Sequence, residues 1–329
     1  MKVLAAVDKF RGTATAAQVA TAIGHACWQL GHDCIERPLA DGGEGTLEAL
    51  GGANRTTLVT GPLGDPVNAA WRLHRGTAII EMACASGLLL SGGREKNDAV
   101  AASTTGTGEI IDAALDLGAK RIIVCLGGSA TTDGGLGAVR AIQTSARLKG
   151  VEFVVACDVT TTFTDAAKVF GPQKGASPAQ VQLLTTRLER LVQMYKETYG
   201  VDVSLLPGAG AAGGLAGGLA ALGANLVPGF DLVAQEVLLD ELLIDVDLII
   251  TGEGYMDNES FSGKVVGSMA ELAAEKKIQI SAICGDIHQD VQGRLNAVSL
   301  VELFGLESAM HQPLHCIEQA ALKILREAK

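Results

Sequence analysis

The densest group of chemically useful residues lies at positions 126–135, which read Leu-Gly-Gly-Ser-Ala-Thr-Thr-Asp-Gly-Gly after a strand-like apolar segment. Glycines such as Gly127 and Gly128 let backbone N–H groups approach an anion closely. Ser129 adds a neutral donor, and Asp133 could hold Mg²⁺ or accept a proton. The run therefore predicts a phosphoryl-transfer site. The alternative is a tight turn in which Asp133 only caps the next helix.

Similar loops of glycine and acidic residues follow other strand-like segments. Including the first run, five such positions follow strand-like segments: residues 8–12, 41–45, 127–135, 158 and 252–257. Open α/β sheets bind ligands at the carboxyl ends of their strands. We therefore expect the loops to converge on one cleft that holds a polyphosphate, a metal ion and a small polar acceptor. The alternative is a set of unrelated helix caps.

Residue type suggests a role for each candidate. The predicted nucleotide contacts are Gly127, Gly128, Ser129, Gly252, Gly254 and Lys264. The predicted catalytic acids are Asp133, as the proton acceptor, and Asp257, and the predicted metal ligands are Asp158 and Glu253. The predicted acceptor-binding residues are Asp8, Lys9, Arg11, Asp41, Gly42, Gly43 and Glu44. Arginine suits a bidentate hold on a carboxylate. For Lys264, a solvated lysine in the first turn of a helix is the alternative.

Composition excludes several classes of function. The 329 residues carry a formal net charge of −11, so nucleic acid and anionic membranes are poor partners. Seven cysteines without a Cys-x-x-Cys pattern argue against a disulfide framework and a zinc knuckle. The apolar start at residues 1–7 is too short for a signal peptide, so we expect a cytoplasmic protein. The expected partners are small molecules, and a homodimer is compatible with the sequence.

Hydrophobic patterning predicts two α/β domains. Residues 1–60 and 240–329 should form one open parallel-sheet domain, with residues 61–239 inserted as the second. Residues 247–251 and 297–303 are predicted strands. Residues 203–230 contain no charge but many glycines and two prolines, which predicts a buried loop and helix rather than a membrane span.

A second nucleotide motif competes with the first. Gly208, Gly210 and Gly213 have the spacing of a dinucleotide fingerprint, and Asp231 lies downstream at a plausible distance for a ribose contact. Pro207 directly before the first glycine and the Gly/Ala-rich background argue against it. An NAD-dependent oxidoreductase therefore remains an alternative, as does a ligand-binding protein without catalytic activity.

Taken in order, the motifs resemble those of the type I glycerate kinases, the bacterial glycerate 2-kinase family. The matching segments are residues 8–12, 38–46, 81–83, 85–88, 104–109, 126–137, 155–159, 169–176, 207–215 and 250–254. The resemblance implies phosphorylation of D-glycerate by ATP and favours 2-phosphoglycerate as product. The chemistry of phosphoryl transfer predicts Mg²⁺ as the cofactor. It also implies a Rossmann- or flavodoxin-like parallel-sheet domain, an inserted α/β domain with a mixed sheet, and an active site in the cleft between them. Lys9, Arg11 and Tyr255 depart from the family's usual residues, and two loops are shorter.

Overall fold

A computed structural model of the chain describes residues 1–143 and 145–328. The strands are β1 (Lys2–Val7), β2 (Asp33–Pro38), β3 (Arg55–Thr60), β4 (Pro66–His74), β5 (Thr77–Glu81), β6 (Arg121–Cys125), β7 (Glu152–Ala156), β8 (Asn225–Val227), β9 (Leu248–Met256), β10 (Gln279–Ile287) and β11 (Ala297–Ser299).

The helices separate and follow these strands. They are α1 (Ala16–Gln29), α2 (Thr46–Ala49), α3 (Ala83–Ser86), α4 (Thr105–Asp116), α5 (Leu136–Ala141), α6 (Ala166–Phe170), α7 (Pro178–Tyr199), α8 (Ala211–Ala221), α9 (Gly229–Glu236), α10 (Leu239–Leu242), α11 (Val265–Lys276), α12 (Leu300–Phe304), α13 (Leu306–His311) and α14 (Pro313–Glu327). Short 3₁₀ turns lie at Ser145–Leu148, Pro172–Lys174, Val203–Leu205, Asn258–Phe261 and Gln289–Val291.

The chain folds into two compact units. The terminal unit comprises Met1–Asp41, Glu48–Leu50 and Gly229–Lys329, and the middle unit comprises Gly42–Leu47 and Gly51–Pro228. The expected boundaries near residues 60 and 240 differ from these limits. Strand β3 belongs to the middle unit because it pairs with β4 along its whole length. Helices α9 and α10 belong to the terminal unit because their apolar side chains pack beneath its sheet.

The terminal unit is a parallel sheet covered by helices on both faces. Its strand order is β11-β10-β9-β1-β2, and every neighbouring pair is parallel. Side chains of β1 alternate between two cores: Val3 packs with α1 and α14, whereas Leu4 packs with α9 and α11. The order has a switch point between β1 and β9, as in flavodoxin-like folds, so the fold class expected from sequence is confirmed.

The middle unit contains a mixed sheet, as the family resemblance implies. Its order is β3-β4-β5-β6-β7-β8, with antiparallel pairing from β3 to β5 and parallel pairing from β5 onwards. Helix α7 begins at a complete capping box, in which Ser177 and Gln180 exchange side-chain and backbone hydrogen bonds. The uncharged stretch contains the buried helix α8. No helix among the described residues combines the length and apolar character of a membrane span.

Two predicted strand limits are wrong. Strand β9 continues to Met256, past residue 251, because β10 supplies parallel partners as far as Ile287. The predicted strand at 297–303 ends at Ser299, because the Ser299 hydroxyl accepts the N–H of Glu302 at 3.1 Å and starts α12.

Candidate active site

The terminal unit contains a cavity of about 410 Å³ at the carboxyl end of its sheet. The loop after β1, the ends of β9 and β10, and helices α12 and α13 enclose it. Its charged lining consists of Asp8, Lys9, Arg11, Asp41, Glu253, Asp257, Lys264 and Asp286. Seven of these eight residues are sequence-predicted site residues, and Gly254 also lines the cavity. These residues meet at the point where the strand order reverses, which is where open α/β sheets bind ligands.

Asp8 lies at the switch point itself. Its N–H donates to the Gly252 carbonyl at 2.9 Å, which fixes the backbone as it leaves β1. Its Oδ1 accepts the Lys9 N–H at 2.7 Å, and the Lys9 ammonium lies 3.9 Å away. Burial raises the pKa of Asp8 to about 6, although the Lys9 charge opposes the shift and Asp41 adds to it. Asp8 is thus a buried carboxylate that titrates close to neutral pH.

Glu253 is the second buried carboxylate of this cavity. It projects from β9, is only 8% exposed, and its Oε1 has no hydrogen-bond partner. Burial raises its pKa to about 7; Ser260 and Lys264 oppose this shift, whereas Asp8 and Asp257 reinforce it. An orphaned buried carboxylate oxygen is costly in a folded protein, so it indicates a position that a proton or a cation would occupy.

Asp257 and Lys264 flank a short turn after β9. Asp257 caps this turn: its Oδ1 accepts the N–H groups of Glu259 at 2.8 Å and Ser260 at 3.3 Å. The Lys264 ammonium lies 3.3 Å from Glu259. Burial opposes the charge of Lys264, but the Glu259 hydrogen bond and the charges of Glu259, Glu253 and Asp257 outweigh it and raise the pKa. Lys264 is therefore a stable cation at the cavity.

Gly252 has a packing role. It lies inside β9 rather than in a loop, and a Cβ there would collide with the Ile283 carbonyl of β10. Gly285 on β10 is restricted in the same way by the Gly254 carbonyl. The structure thus places Gly254, but not Gly252, in the lining of the cavity. Close strand approach explains this glycine without any ligand.

One side of the same cavity is apolar, which sequence reasoning missed. Helices α12 and α13 contribute Leu300, Val301, Leu306, Ala309 and Met310. The overlooked signal is Ser299 followed three residues later by Glu302, a helix-start pattern inside the predicted strand.

The glycine–hydroxyl loop lies in the middle unit, at the carboxyl end of β6. Gly127 approaches Gly43 so closely that a Cβ would lie 2.9 Å from the Gly43 Cα, and a Cβ on Gly128 would collide with the Glu44 carboxylate. Gly128 also has a φ of +59°, which favours glycine. The predicted residues of the loops at 42–44 and 127–129 therefore come together, with Ser129 buried beside them.

Both carboxylate oxygens of Asp133 accept hydrogen bonds. Its Oδ2 accepts both the N–H and the hydroxyl of Thr104 at 2.9 Å and the N–H of Gly137 at 3.1 Å, and its Oδ1 accepts the N–H of Gly135 at 3.1 Å. These bonds tie the start of α4 to the start of α5. The geometry suits the cap that the sequence left open as an alternative, and the catalytic role of Asp133 stays a prediction.

Lys174 is a further buried charge in the middle unit. It is 2% exposed, and its ammonium donates to the Thr131 carbonyl at 2.6 Å. Burial lowers its pKa to about 7, and the Asp133 charge opposes this shift. Asn97 donates to the carbonyls of Ala130 at 3.0 Å and Lys174 at 2.8 Å. Lys174 and Asn97 therefore hold the backbone of the glycine–hydroxyl loop in place.

Asp158 follows β7 in the middle unit and is half-buried. Among residues 1–143 and 145–328, no group of three or more His, Cys, Asp or Glu side chains is arranged to hold a metal ion. Mg²⁺ in nucleotide sites often relies on one or two carboxylates together with substrate phosphates. Individual carboxylates are therefore the relevant candidates.

The competing dinucleotide motif lacks its structural setting. The preceding segment, Val203–Leu205, is a 3₁₀ turn rather than a strand. A Cβ on Gly210 would collide with the Thr162 carbonyl, and one on Gly213 with the Thr131 carbonyl. These glycines pack against protein backbone, whereas a dinucleotide site needs a strand–loop–helix unit whose glycines face a pyrophosphate.

Comparisons with known proteins point to one family. The sequence model of the glycerate kinase family matches residues 3–145 and 140–329. The chain is 39% identical to glycerate 2-kinase of Escherichia coli K12 over 331 residues, which covers 88% of this chain and 87% of that protein. It is 37% identical to glycerate kinase of Halalkalibacterium halodurans, with 98% and 97% covered. A crystal structure from Salmonella typhimurium LT2, described as a candidate glycerate kinase 2, superposes with a TM-score of 0.82 at 35% identity and covers 99% of this chain and 98% of that one.

Proposed function

This chain belongs to the glycerate kinase family, and we propose that it transfers the γ-phosphoryl group of ATP to a hydroxyl of D-glycerate. The acceptor follows from the family, and the 2-position follows from the name of the Escherichia coli relative. ATP as donor and Mg²⁺ as cofactor follow from the chemistry of phosphoryl transfer, which depends on positioning and charge neutralisation.

The cavity of the terminal unit is the observation that carries this proposal. It combines the cations Lys9, Arg11 and Lys264 with five carboxylates, which leaves the lining net negative. A polyphosphate is itself strongly anionic, so this lining would accept it together with a divalent cation rather than alone. Lys9 and Arg11 suit the carboxylate of the acceptor, and Lys264 suits a phosphate as a point charge.

Glu253 fits the metal. Its Oε1 is buried without a partner, and hard cations prefer carboxylate oxygens. Bound Mg²⁺ would neutralise charge that develops on the transferred phosphoryl group. Because burial holds the pKa of Glu253 at about 7, its carboxyl would release a proton when a cation binds.

Asp8 suits the proton-accepting role. During transfer, the attacking hydroxyl oxygen bonds to the γ-phosphorus, the bond to the bridging oxygen of ADP breaks, and the hydroxyl proton moves to a carboxylate. A base works best with a pKa near the working pH, and the pKa of Asp8 is about 6. Asp8 also lines the cavity, so it competes with Asp133 and Asp257 for this role.

The other sequence-based assignments stay predictions. In the middle unit these are phosphate contacts from Gly127, Gly128 and Ser129, acceptor contacts from Gly42, Gly43 and Glu44, and a metal contact from Asp158. The cytoplasmic location and the homodimer also stay predictions.

Incubation with ATP, Mg²⁺ and D-glycerate tests the function. We expect phosphoglycerate to form, and phosphorus NMR will assign the ester to the 2- or the 3-position. The 3-ester would refute the regiochemistry alone. Binding of ATP and glycerate without product would favour a non-catalytic member of the family.

A further inference from the structure

We propose that the apolar wall of the terminal unit's cavity, formed by Leu306, Met310 and Ala309 of α13 with Leu300 and Val301 of α12, binds the purine base of the nucleotide. This inference rests on the proposed function, because it assigns the donor to that cavity. It adds a subsite that the glycine and acidic motifs do not indicate.

The first observation is the exposure of this wall. Leu306 is 64% and Met310 53% exposed, although both side chains line a concave site. Single exposed apolar residues are ordinary, but several around one cavity mark a binding site. Ala309 and Leu300 line the same cavity and are buried. A flat apolar ligand group would remove the exposed side chains from water.

The second observation is the rigid link between the apolar and charged sides. The Ser299 hydroxyl donates to Asp286 Oδ1 at 3.1 Å, and the same hydroxyl accepts the Glu302 N–H that starts α12. Asp286 in turn lines the charged side. Gly305, with a φ of +80°, then turns the chain from α12 into α13. The chain that carries Leu306 and Met310 thus follows directly from a segment that is hydrogen-bonded to the charged side.

The third observation is the chemistry of the available ligands. A molecule that uses both sides must join an apolar planar group to a strongly anionic group. Glycerate has three carbons, each carrying oxygen, so it offers no surface for the wall. The base of a nucleotide does, and its phosphates would reach the charged side. The cavity volume lies within the range of small-molecule sites, about 300–1,000 Å³.

The test compares two ligands that differ by the nucleoside. Calorimetry with the full chain and Mg²⁺ would measure the binding affinities of ADP and of inorganic pyrophosphate. In Leu306→Ser we expect ADP to bind about three- to tenfold more weakly, the effect of losing one partly buried apolar contact. Pyrophosphate affinity should not change. Leu303→Ser is the matched control, since Leu303 is also exposed on this segment but does not line the cavity, and it should leave both affinities unchanged.

Several outcomes would overturn the subsite. One is an unchanged ADP affinity in both Leu306→Ser and the double variant with Met310→Ser. Another is an equal loss for pyrophosphate, which would indicate a general disturbance of the cavity. A third is wild-type binding of pyrophosphate as tight as that of ADP. If the wall is instead covered by a second copy of the chain, ADP affinity will not respond to these variants.

Glycerate phosphorylation separates this inference from the proposed function. Product formation with an unchanged KM for ATP in Leu306→Ser would leave the activity standing and reject the subsite. Selective loss of ADP affinity in a protein that makes no phosphoglycerate would retain the subsite and reject the activity.

Discussion

The two acid-bearing regions differ in how their carboxylates are satisfied. In the middle unit, Asp133 lies in the loop richest in glycine and hydroxyls, and donors occupy both of its oxygens. In the terminal unit, Glu253 is buried with an oxygen that has no partner, and burial raises the pKa values of both Asp8 and Glu253. A loop dense in glycine and hydroxyl residues can thus serve to stabilise the fold. A buried carboxylate without a hydrogen-bond partner instead indicates a catalytic or binding role.

The largest expected effect comes from the proton acceptor. Asp8→Asn keeps the shape of the side chain but removes the basic oxygen, so turnover should fall about 10²–10⁴-fold. Steady-state kinetics at saturating ATP, Mg²⁺ and D-glycerate would measure it. If Asp133→Asn causes a loss of this size while Asp8→Asn does not, the comparison between the two regions is reversed.

Glu253→Gln should stabilise the protein above neutral pH. The folded pKa is about 7 and the ordinary value is 4.5, so the folded state binds the proton more tightly. Wild-type stability from this group is complete below 4.5 and is lost as the pH rises through 7. The melting temperature of Glu253→Gln should match wild type near pH 4.5 and exceed it at pH 8. The corresponding difference in the free energy of unfolding is a few kcal/mol at most, at about 1.4 kcal/mol per pKa unit.

The same Glu253→Gln variant should require a higher Mg²⁺ concentration for half-maximal activity, because its amide oxygen carries no charge. A magnesium titration of turnover would measure this, with Glu271→Gln, at an exposed acidic residue outside the cavity lining, as the control. An unchanged magnesium requirement would remove Glu253 from the metal site.

Asp133→Asn should lower stability rather than preserve it. An asparagine can replace an aspartate cap when one oxygen is used. Here both oxygens accept, so the amide group would face the N–H groups of Thr104 or Gly135. A loss of about 1–3 kcal/mol is expected for such unsatisfied donors, visible in chemical denaturation. A variant as stable as wild type would show that the cap contributes little.

A further prediction concerns the buried Lys174 of the middle unit. Its folded pKa of about 7 lies below the ordinary 10.5, so its contribution is complete above 10.5 and falls as the pH drops towards 7. The stability of wild type relative to Lys174→Met should therefore rise between pH 7 and pH 10. Melting curves at these two pH values would show it. A constant difference would mean that Lys174 stays charged when buried.

Short sequence patterns were sufficient to predict much of the fold and of the cavity. The helix caps and the runs of apolar residues fix elements such as β1 and α7, and the strand-end rule for α/β sheets brings Asp8, Glu253 and Lys264 into one cavity. The patterns involved span a few residues each, so the sequence alone reveals them.

Features that depend on residues distant in the sequence could not be predicted. Gly252 resembles a loop residue, yet β10 extends the strand through it. Two of the donors to Asp133, the N–H and hydroxyl of Thr104, lie 29 positions earlier, so the sequence around Asp133 does not reveal them. Residues 297–303 contain valine and leucine at strand-like density, which obscured the helix start at Ser299 and with it the apolar wall.

The pairing of β1 with β9 has a consequence for synthesis. Val3 lies opposite Leu248, so a central strand of the terminal unit leaves the ribosome more than two hundred residues before one of its two neighbours. The middle unit is complete by Pro228, earlier than β9. The middle unit can therefore fold first. Until β9 is synthesised, β1 lacks one of its two neighbouring strands, and its apolar residues, which are buried in the folded protein, stay exposed. During that interval β2 is its available strand partner, and the nascent chain is most exposed to aggregation.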